Sequence, residues 1–414
     1  MSAPAELVAI VGAGPAGLAA GAALARSGIP IVLLDTGSSD ISSRATSRLV
    51  GLGGAGLYSD GKFSFRPSAT RLWELQPGSV LEAAEEDFLD LFERHGGHRP
   101  IPLLPTTDES ISASVTRKRY PSVYLSFEQR AEMIRTLSEE CGTVACDSRV
   151  SSIEWNDGRY ELTAENGDRV SASALIIATG RLGPTTGFGP AMAVPMVYRR
   201  GEIGIRIETE AGGSPLDRYD SVDPKLIGTT SDSSVSWRTF CMCRDGLVES
   251  SRLPAGGVLY SGRADCPPTG RSNFGLLVRV DDEDTFRRLR FDNALSTIMT
   301  TNSEFDLTMR TFIDGRGAPL DLVVHREVTD ALLGAIDDIF SGDPGALDTA
   351  RAIGPCVEGV GMYPDLSNEL QTPFGTSSFV CGDASGIFRG LAAALVSGFF
   401  VGRRAAEGVR SDSD

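Results

Sequence analysis

The sequence predicts an α/β fold in which both ends of the chain form one domain and a mixed α+β domain is inserted between them. Three observations indicate this. Apolar strands and an Ala-rich helix alternate over the first forty residues, mixed strands and helices occupy the middle, and Gly-rich α/β sequence returns near the end. We expect residues 1–190, with a connection at about 66–120, and residues 350–414 to form the first domain. Residues 191–349 then form the inserted one.

Composition and charge exclude several classes of protein. The chain has 414 residues, of which 41% are hydrophobic, and its 39 Lys and Arg against 55 Asp and Glu give a net charge of −16. Because such a charge repels a polyanion, we expect no nucleic-acid partner. No run of eighteen apolar residues is present, so we expect no membrane span. The seven cysteines lack zinc-site spacing, which predicts no metal site and a cytoplasmic protein with free thiols. We expect a monomer or a homodimer.

The first element is a strand–turn–helix–strand unit. Leu7–Val11 and Ile31–Leu34 are apolar strands, Ala16–Ser27 is an Ala-rich helix, and Gly12–Gly17 reads Gly-Ala-Gly-Pro-Ala-Gly. Such glycines permit a tight turn and close approach to a pyrophosphate, to which the helix N-terminus offers N–H groups. Asp35, at the end of the second strand, can accept from ribose hydroxyls. This order predicts a dinucleotide site, and the alternative is a Gly-rich turn in an unrelated α/β protein.

Capping and turn signals predict the elements that follow. A helix is expected from Ser126, with Gln129 completing a capping box and Gly142 ending the helix. Asn-Asp-Gly at 156–158 and Glu-Asn-Gly-Asp at 165–168 are hairpin turns. Periodicity predicts the remaining elements, with strands over 148–155, 159–164 and 174–178 and helices over 284–300, 326–340 and 391–407.

A second Gly-rich turn favours FAD over NAD as the cofactor. Gly382-Asp383 follows the apolar strand Ser378–Cys381 and leads into a helix. An Asp there can hold a polyhydroxylated chain such as ribityl, and the following helix N-terminus stabilises negative charge on a reduced flavin ring. The alternative is that Asp383 only caps the helix.

Several motifs together resemble known flavoproteins. The Gly12–Gly17 turn with Asp35, the strand end Ile176–Gly180 and the Cys381-Gly382-Asp383 turn are similar to the glutathione-reductase-type FAD fold. More narrowly, three segments resemble signatures of the poorly characterised FAD-dependent dehydrogenases: Gly51–Lys62, Arg238–Cys243 and Gly382–Gly390. The resemblance, from Val8 to about Ala406, implies a glutathione-reductase-type FAD-binding Rossmann fold with an inserted mixed α+β substrate domain.

This resemblance implies particular FAD contacts. The pyrophosphate falls on the turn of Gly12, Gly14, Ala16 and Gly17, the adenosine ribose on Asp35, the adenine near the Val150 backbone and the ribityl chain on Asp383. Arg44 and Arg48 occupy the place of an arginine that reaches the phosphates, and their alternative is an exposed basic turn. Further cofactor-binding residues implied by the motifs are Gly53, Gly54, Ala55, Ser59, Asp60, Thr179, Gly180, Arg389 and Gly390.

The segment from Gly53 to Lys62 predicts a contact with a planar ring. Three glycines within four residues let backbone N–H groups come close, and Ser59, Asp60 and Lys62 supply fixed polar ends. Lys62 beside a flavin could stabilise the anionic reduced ring or speed electron transfer to oxygen. The alternative is that Asp60 and Lys62 form a solvent-facing turn pair.

Three further side chains are candidate catalytic residues. Cys241 and Cys243 share one face if their segment is a strand. The pair could then face substrate or flavin and act as a redox relay or a base. The alternative is two small buried residues in a sheet, which is common for free Cys. Arg238 could anchor an anionic substrate group or form a structural ion pair.

One dinucleotide motif and no CxxC are present, which disfavours an NAD(P)H site and a disulfide reductase. We therefore expect an FAD-dependent dehydrogenase or oxidase that takes hydride from a small or medium organic substrate, such as a biosynthetic intermediate, and passes electrons to oxygen or another acceptor. One alternative is an NAD(P)H-dependent flavin monooxygenase or reductase. Another is a non-catalytic nucleotide-binding protein.

Overall fold

A computed structural model describes residues 6–41, 49–101, 108–185, 194–230, 235–253 and 255–411. The strands are β1 (Val8–Val11), β2 (Ile31–Leu34), β3 (Lys62–Ser64), β4 (Glu109–Ser110), β5 (Val115–Lys118), β6 (Ser122–Tyr124), β7 (Val144–Ala145), β8 (Val150–Asn156), β9 (Arg159–Ala164), β10 (Arg169–Ala172), β11 (Ala174–Ile177), β12 (Met196–Glu210), β13 (Lys225–Thr229), β14 (Ser236–Cys243), β15 (Leu247–Arg252), β16 (Val258–Arg263), β17 (Arg271–Val280), β18 (Phe305–Thr308), β19 (Arg351–Pro364) and β20 (Ser378–Val380). The α-helices are α1 (Pro15–Arg26), α2 (Gly54–Leu57), α3 (Gly78–Arg94), α4 (Phe127–Cys141), α5 (Glu283–Arg288), α6 (Phe291–Thr300), α7 (Met309–Asp314), α8 (Arg326–Phe340) and α9 (Leu391–Ser411).

A parallel sheet forms the centre of the first domain. Its strand order is β20-β11-β1-β2-β7, and every neighbouring pair is parallel. The carboxyl ends of parallel strands lie at one edge, where open α/β sheets bind ligands. Gly12, Asp35, Thr179 and Gly382 follow four of these strands, so the sheet brings the predicted binding turns to the same edge.

Small residues allow the helices on one face of this sheet to pack closely against each other. Helix α1 packs against α4 and α9, and α9 also contacts α3. A Cβ at Gly398 would lie 2.2 Å from the Ala16 carbonyl oxygen, and one at Gly402 would lie 2.5 Å from that of Ala20. The two helices therefore need glycine at their crossing, which holds the start of α9 near the Gly12 turn. Among the described helices, none combines the length and apolar content that crossing a membrane requires.

The other face is covered by the antiparallel sheet β8-β9-β10, whose Tyr160 and Leu162 are buried against Ala9 and Leu175. The hairpin turn predicted at 156–158 is confirmed, since Asn156 pairs with Arg159 and both Asp157 and Gly158 have positive φ. This is the backbone that a two-residue hairpin loop favours.

The predicted capping box is also confirmed. The Ser126 hydroxyl accepts from the Gln129 backbone N–H at 3.2 Å, while the Gln129 side chain accepts from the Ser126 N–H at 2.8 Å. Gly142, with φ of +76°, ends the helix. Two orphan N–H groups are thereby satisfied at the start of α4.

A second, eight-stranded sheet has the order β18-β19-β12-β17-β14-β13-β5-β4. Its pairs are antiparallel, and helices α5 to α8 bury apolar side chains against it. Two short antiparallel ribbons, β3-β6 and β15-β16, complete the fold.

The strands of this sheet depart from the expected domain boundaries. β19, at 351–364, was expected in the closing part of the first domain, and β4 and β5, at 109–118, in its connection; all three pair within the eight-stranded sheet. The reason is long-range pairing, since β19 bonds β12 over most of its length. The eight-stranded sheet therefore draws on three separate parts of the chain.

The single helix predicted over 284–300 is wrong. The chain forms α5 and α6 instead, because Arg290 adopts the left-handed conformation with φ of +49° and precedes α6 as its N-cap. The helix predicted over 326–340 is confirmed with the same bounds.

Candidate functional site

A cavity of about 2000 Å³ runs from the carboxyl edge of the parallel sheet to the eight-stranded sheet. It brings together most of the residues singled out in the sequence. Those that line it are Gly12, Gly14, Ala16, Asp35, Gly54, Ala55, Ser59, Asp60, Lys62, Val150, Thr179, Gly180, Arg238, Cys241, Asp383, Arg389 and Gly390. Gly17, Gly53 and Cys243 lie behind its wall, and Arg44 and Arg48 fall outside the described residues.

The three glycines of the first turn have different roles. A Cβ at Gly12, whose φ is +110°, would lie 2.5 Å from the Ala178 carbonyl oxygen, and a Cβ at Gly17 would lie 1.9 Å from that of Gly12. A Cβ at Gly14 would meet nothing within 4 Å. Gly12 and Gly17 are therefore required by packing, whereas Gly14 leaves open space in which a phosphate group can approach the backbone. This cradle fits a pyrophosphate.

The Asp35 carboxylate connects three backbone segments. Its Oδ2 accepts from the Ala13 N–H at 2.7 Å, and its Oδ1 accepts from Gly37 at 2.8 Å and Gly51 at 2.7 Å. The residue is 8% exposed. A carboxylate has about four lone-pair sites, so these three N–H donors leave one site for a further donor, and Asp35 lines the cavity. Asp35 therefore orders the turn in addition to any ribose contact.

The Gly53–Ala55 segment lies beside the first turn. The Gly53 N–H donates to the Ala13 carbonyl at 2.8 Å, and a Cβ at Gly54 would lie 3.4 Å from the Gly14 Cα. Gly53 has a φ of +82° and precedes the short helix α2. Across the turn, the buried Thr179 hydroxyl has no hydrogen-bond partner among the described residues. This oxygen is buried beside Gly183, so a ligand in the cavity does not reach it as the side chain stands.

Asp383 is not a helix N-cap. It lies inside a 3-10 helix, Gly382–Ser385, whose N-cap is Cys381. Its Oδ2 accepts from the Arg389 Nε at 3.3 Å, and Gly390 follows with a φ of +107°. The Asp383 carboxylate is thus held at the cavity wall by an arginine two residues before α9.

Buried ion pairs form one wall of the cavity. We call this group the arginine network; its members are Arg181, Arg200, Glu202, Arg238, Glu358 and Arg389. Arg238 donates to both Glu202 oxygens, at 2.8 and 2.9 Å. Burial alone would raise the pKa of Glu202, but Arg238 and its neighbours hold that pKa well below the usual value. Arg238 is therefore an ion-pair partner as well as a cavity-lining cation.

Glu358 is the second carboxylate of the arginine network. It is paired with Arg181 and Arg389, and Arg389 also donates to the Glu358 carbonyl at 2.7 Å. Burial opposes ionisation of Glu358, and the two guanidinium groups overcome it and lower the pKa. Four arginines against two glutamates leave this wall positive, although the whole chain carries a charge of −16.

A second polar group, the lysine cluster, consists of Asp60, Lys62, Tyr120 and Asp223. The Lys62 Nζ lies 2.9 Å from Asp60 Oδ2 and 3.1 Å from Asp223 Oδ1, and the Tyr120 hydroxyl donates to Asp223 Oδ2 at 2.9 Å. Lys62 is 8% exposed. Burial opposes its charge, but the two carboxylates raise its pKa well above the usual value. The Asp60–Lys62 pair therefore exists but is buried, and the solvent-facing alternative is wrong.

Lys225, at the start of β13, lines the same cavity without a carboxylate partner among the described residues. It pairs across strands with Lys118. Burial, with Arg238 and Lys118 as neighbouring cations, lowers the pKa of Lys225 to about 7. A neutral amine at a cavity wall is suited to accept a proton near neutral pH.

Cys241 and Cys243 lie on β14, but not through regular alternation. Cys241 has a φ of +51°, and the pairing of β14 with β17 shifts register between Phe240 and Cys243. The two side chains were expected to share a face because alternate residues of a regular strand do, and that reason is wrong. A bulge in β14 instead brings the two sulfur atoms to 3.7 Å. Cys241 lines the cavity and Cys243 is buried.

Sequence reasoning missed several of these residues. Glu358 is a lone charge in the apolar run of β19, and such a charge is a detectable signal because unpaired burial is costly. Glu202 lies in β12 close to Arg199, Arg200 and Arg206, so its charge stands out less in the sequence. Asp223 and Lys225 carried no such signal. Asp223 precedes β13 and Lys225 begins it. Only tertiary structure brings Asp223 to Lys62 and Lys225 near Arg238.

Comparison with known proteins agrees with the first turn. Residues 10–75 match a family model described as an NAD(P)-binding Rossmann-like domain. This part of the chain is a Rossmann-like dinucleotide-binding fold. The matched range covers the last two residues of β1, all of α1 and β2, and the Gly53–Lys62 segment.

Similarity over longer stretches is weaker. An uncharacterized protein of Clostridium beijerinckii is 25% identical over 318 residues, 66% of this chain and 52% of its own length. The chain spans about half the length of the curated relative it matches. Halogenase PltM is similar in structure, with a TM-score of 0.48 and 13% identity over 99% of this chain and 70% of its own. A flavoprotein/dehydrogenase from Cytophaga hutchinsonii has a TM-score of 0.45 and 13% identity, covering 98% and 79%.

Replacing Asp35 by Asn tests its role in ordering the turn. An amide offers one acceptor oxygen and a donor NH₂, so at least one of the three N–H groups loses its partner. A hydrogen bond to a charged group contributes about 1.5–3 kcal/mol. We expect urea unfolding to show a loss of about 2 kcal/mol. Asp147→Asn, a matched change at an exposed neighbour, should cost much less. Equal losses would contradict this role.

Replacing Lys225 by Met tests its lowered pKa. The unfolded chain binds a proton at Lys225 up to about pH 10.5, whereas the folded protein releases it above about pH 7. Stability from this group therefore rises with pH across that window. We expect Lys225→Met to raise the melting temperature at pH 7 and flatten its rise toward pH 10. Lys225→Arg should flatten the same rise but lower the melting temperature. A rise retained in both variants would assign it to other groups.

Proposed function

We propose that this chain is an FAD-dependent oxidoreductase of glutathione-reductase-type architecture, acting as a dehydrogenase or oxidase on a small or medium organic substrate. One observation carries the proposal. A single cavity joins the open backbone at Gly14 to a chamber walled by the arginine network and the lysine cluster. A dinucleotide bound at the turn would therefore extend toward fixed charges, which a scaffold protein does not need.

The residues that would hold FAD follow the cavity from one end to the other. Gly12 and Gly14 would bind the pyrophosphate, Asp35 and the Val150 backbone the adenosine, and Asp383 the ribityl chain. Each of them lines the cavity. The open space at Gly14 supports this assignment, because it lets a phosphate group approach the backbone.

Bound FAD supplies the hydride-accepting chemistry, and the chain supplies charge and proton transfer. Lys62 is held by Asp60 and Asp223, so its ammonium is fixed in place and can stabilise negative charge that develops near it. The positive wall of the arginine network would favour a substrate with an anionic group. Lys225 could accept the proton that leaves the substrate as its C–H bond gives up a hydride.

A direct reaction with an organic substrate is favoured over reduction by NAD(P)H. One Gly-rich dinucleotide turn is present, and the Asp35 segment already serves it. The cavity of about 2000 Å³ exceeds the 300–1,000 Å³ usual for a small-ligand pocket. A dinucleotide and a separate substrate could therefore occupy it together.

Anaerobic reduction tests this function. FAD-loaded protein would be mixed with a panel of small organic acids and with their neutral amides, and its visible absorption followed. We expect one or more acids to bleach the flavin without NAD(P)H, and their amides to react more slowly. Lys62→Met should slow bleaching by about 10²-fold or more, while Lys62→Arg recovers part of the rate. The exposed Arg287→Met serves as the charge-loss control.

Two results would contradict the proposal. Bleaching by NAD(P)H alone, followed by oxygen insertion into a substrate, would identify a flavin monooxygenase. A correctly folded protein that takes up no FAD would favour a non-catalytic role.

A further inference from the structure

We propose that Cys241 and Cys243, the thiol pair, form a reversible disulfide when a hydroperoxide enters the cavity. The thiol pair is then a redox-modification site in the cavity wall. This inference does not rest on the proposed function, because it concerns the reactivity of the polypeptide itself.

The backbone places the two sulfur atoms for bond formation. They are 3.7 Å apart, and a disulfide needs about 2.05 Å, so a small side-chain rotation closes the gap. The closeness depends on the bulge, since Cys241 has a φ of +51°. A non-glycine residue rarely adopts this conformation, and bulges beside functional sites re-aim side chains.

A buried guanidinium supplies charge to the thiol pair. Arg206 is 0% exposed, and its Nη2 donates to the Cys241 carbonyl at 2.9 Å and lies 3.7 Å from the Cys243 Sγ. Its remaining hydrogen bond goes to Asn273, and its Nε and Nη1 have no partner among the described residues. Within the described parts of the chain, no carboxylate oxygen comes within 4.0 Å of it. A thiolate at Cys243 balances this buried positive charge.

A hydrogen bond links the two thiols. The hydrogen bond from Cys241 lowers the pKa of Cys243, and Arg206 adds to this against the effect of burial. The same hydrogen bond, with burial, raises the pKa of Cys241 well above its usual value. A thiolate is the reactive form of cysteine, and Arg206 together with this hydrogen bond favours its formation in a pair whose Cys241 lines the cavity.

The reaction balances with the hydroperoxide as oxidant. Cys241 passes its proton to Cys243, and the Cys241 thiolate attacks the terminal oxygen of the hydroperoxide. An S–O bond forms, the O–O bond breaks, and the alcohol leaves with a proton from water. The Cys243 sulfur then attacks the Cys241 sulfur, forming S–S and breaking S–O, and the departing hydroxide takes the Cys243 proton. Two thiols are oxidised, the hydroperoxide is reduced, and a small thiol reverses the change.

A metal site is the competing interpretation of this cluster. Ligand atoms of Asp60, Cys241 and Cys243 lie within 4.8 Å of one another. However, Lys62 pairs with that same carboxylate and Arg206 contacts Cys243, so two cations already compensate these groups. A divalent cation would have to displace both, which favours the disulfide.

Peptide mapping tests the proposal directly. Cleavage after Arg238 and Arg244 gives the peptide Thr239–Arg244, which carries both cysteines. Native protein would be treated with one equivalent of hydrogen peroxide, then alkylated with iodoacetamide and digested. We expect this peptide to lose two hydrogen masses and gain no label, and to gain two labels after treatment with dithiothreitol. Untreated protein should gain two labels once denatured.

Matched variants show whether the pair and its guanidinium are responsible. Cys243→Ser should leave Cys241 as a sulfenic acid that a sulfenic-acid probe labels, with no disulfide in this peptide. Arg206→Met should slow disulfide formation about tenfold or more, and Cys146→Ser should leave it unchanged. Two results overturn the proposal: both cysteines still alkylated after peroxide, or one equivalent of bound zinc that protects them.

Discussion

The Asp35 carboxylate orders the site, because it accepts three backbone N–H groups from separate parts of the chain. Ala13 belongs to the Gly-rich turn, Gly37 follows β2, and Gly51 lies before α2. Backbone amides in glycine-rich segments are costly to order, and a buried carboxylate that accepts several of them offsets that cost. With these segments fixed, the open face of Gly14 is presented to the cavity. A dinucleotide bound there would extend toward the arginine network and the lysine cluster.

The cavity concentrates positive charge inside an acidic protein. The arginine network and Lys62 have little solvent exposure, and Arg181, Arg238 and Lys62 each pair with a carboxylate from a distant part of the chain. Buried ion pairs contribute little net stability, but removing one partner is strongly destabilising. Such pairs therefore hold side chains in one arrangement. Arg206 departs from this rule, since its neighbours are thiols, and this difference makes the thiol pair distinct from the other two groups.

Local signals predicted local structure well. The first strand, turn and helix, the capping box at Ser126 and the hairpin at 156–158 depend on residues close in sequence, and their physics is local. The partnership of Lys62 with Asp223 depends on two strands of different sheets. The membership of β19 in the larger sheet was missed for the same reason, because tertiary pairing overrides periodicity. The break at Arg290 is a local left-handed backbone conformation that apolar periodicity does not reveal. Most of the site residues that motifs named gather at one cavity, but their partners could not be read from the sequence.

A crystal structure of the protein loaded with FAD tests the central claim, that one dinucleotide lies across the open turn and reaches the charged chamber. The account predicts pyrophosphate density over Gly14, the flavin ring between Asp383 and Lys62, and an Asp35 carboxylate still bound to its three N–H groups. Density for the cofactor elsewhere, or a turn in which Asp35 has released Ala13 and Gly51, would contradict it.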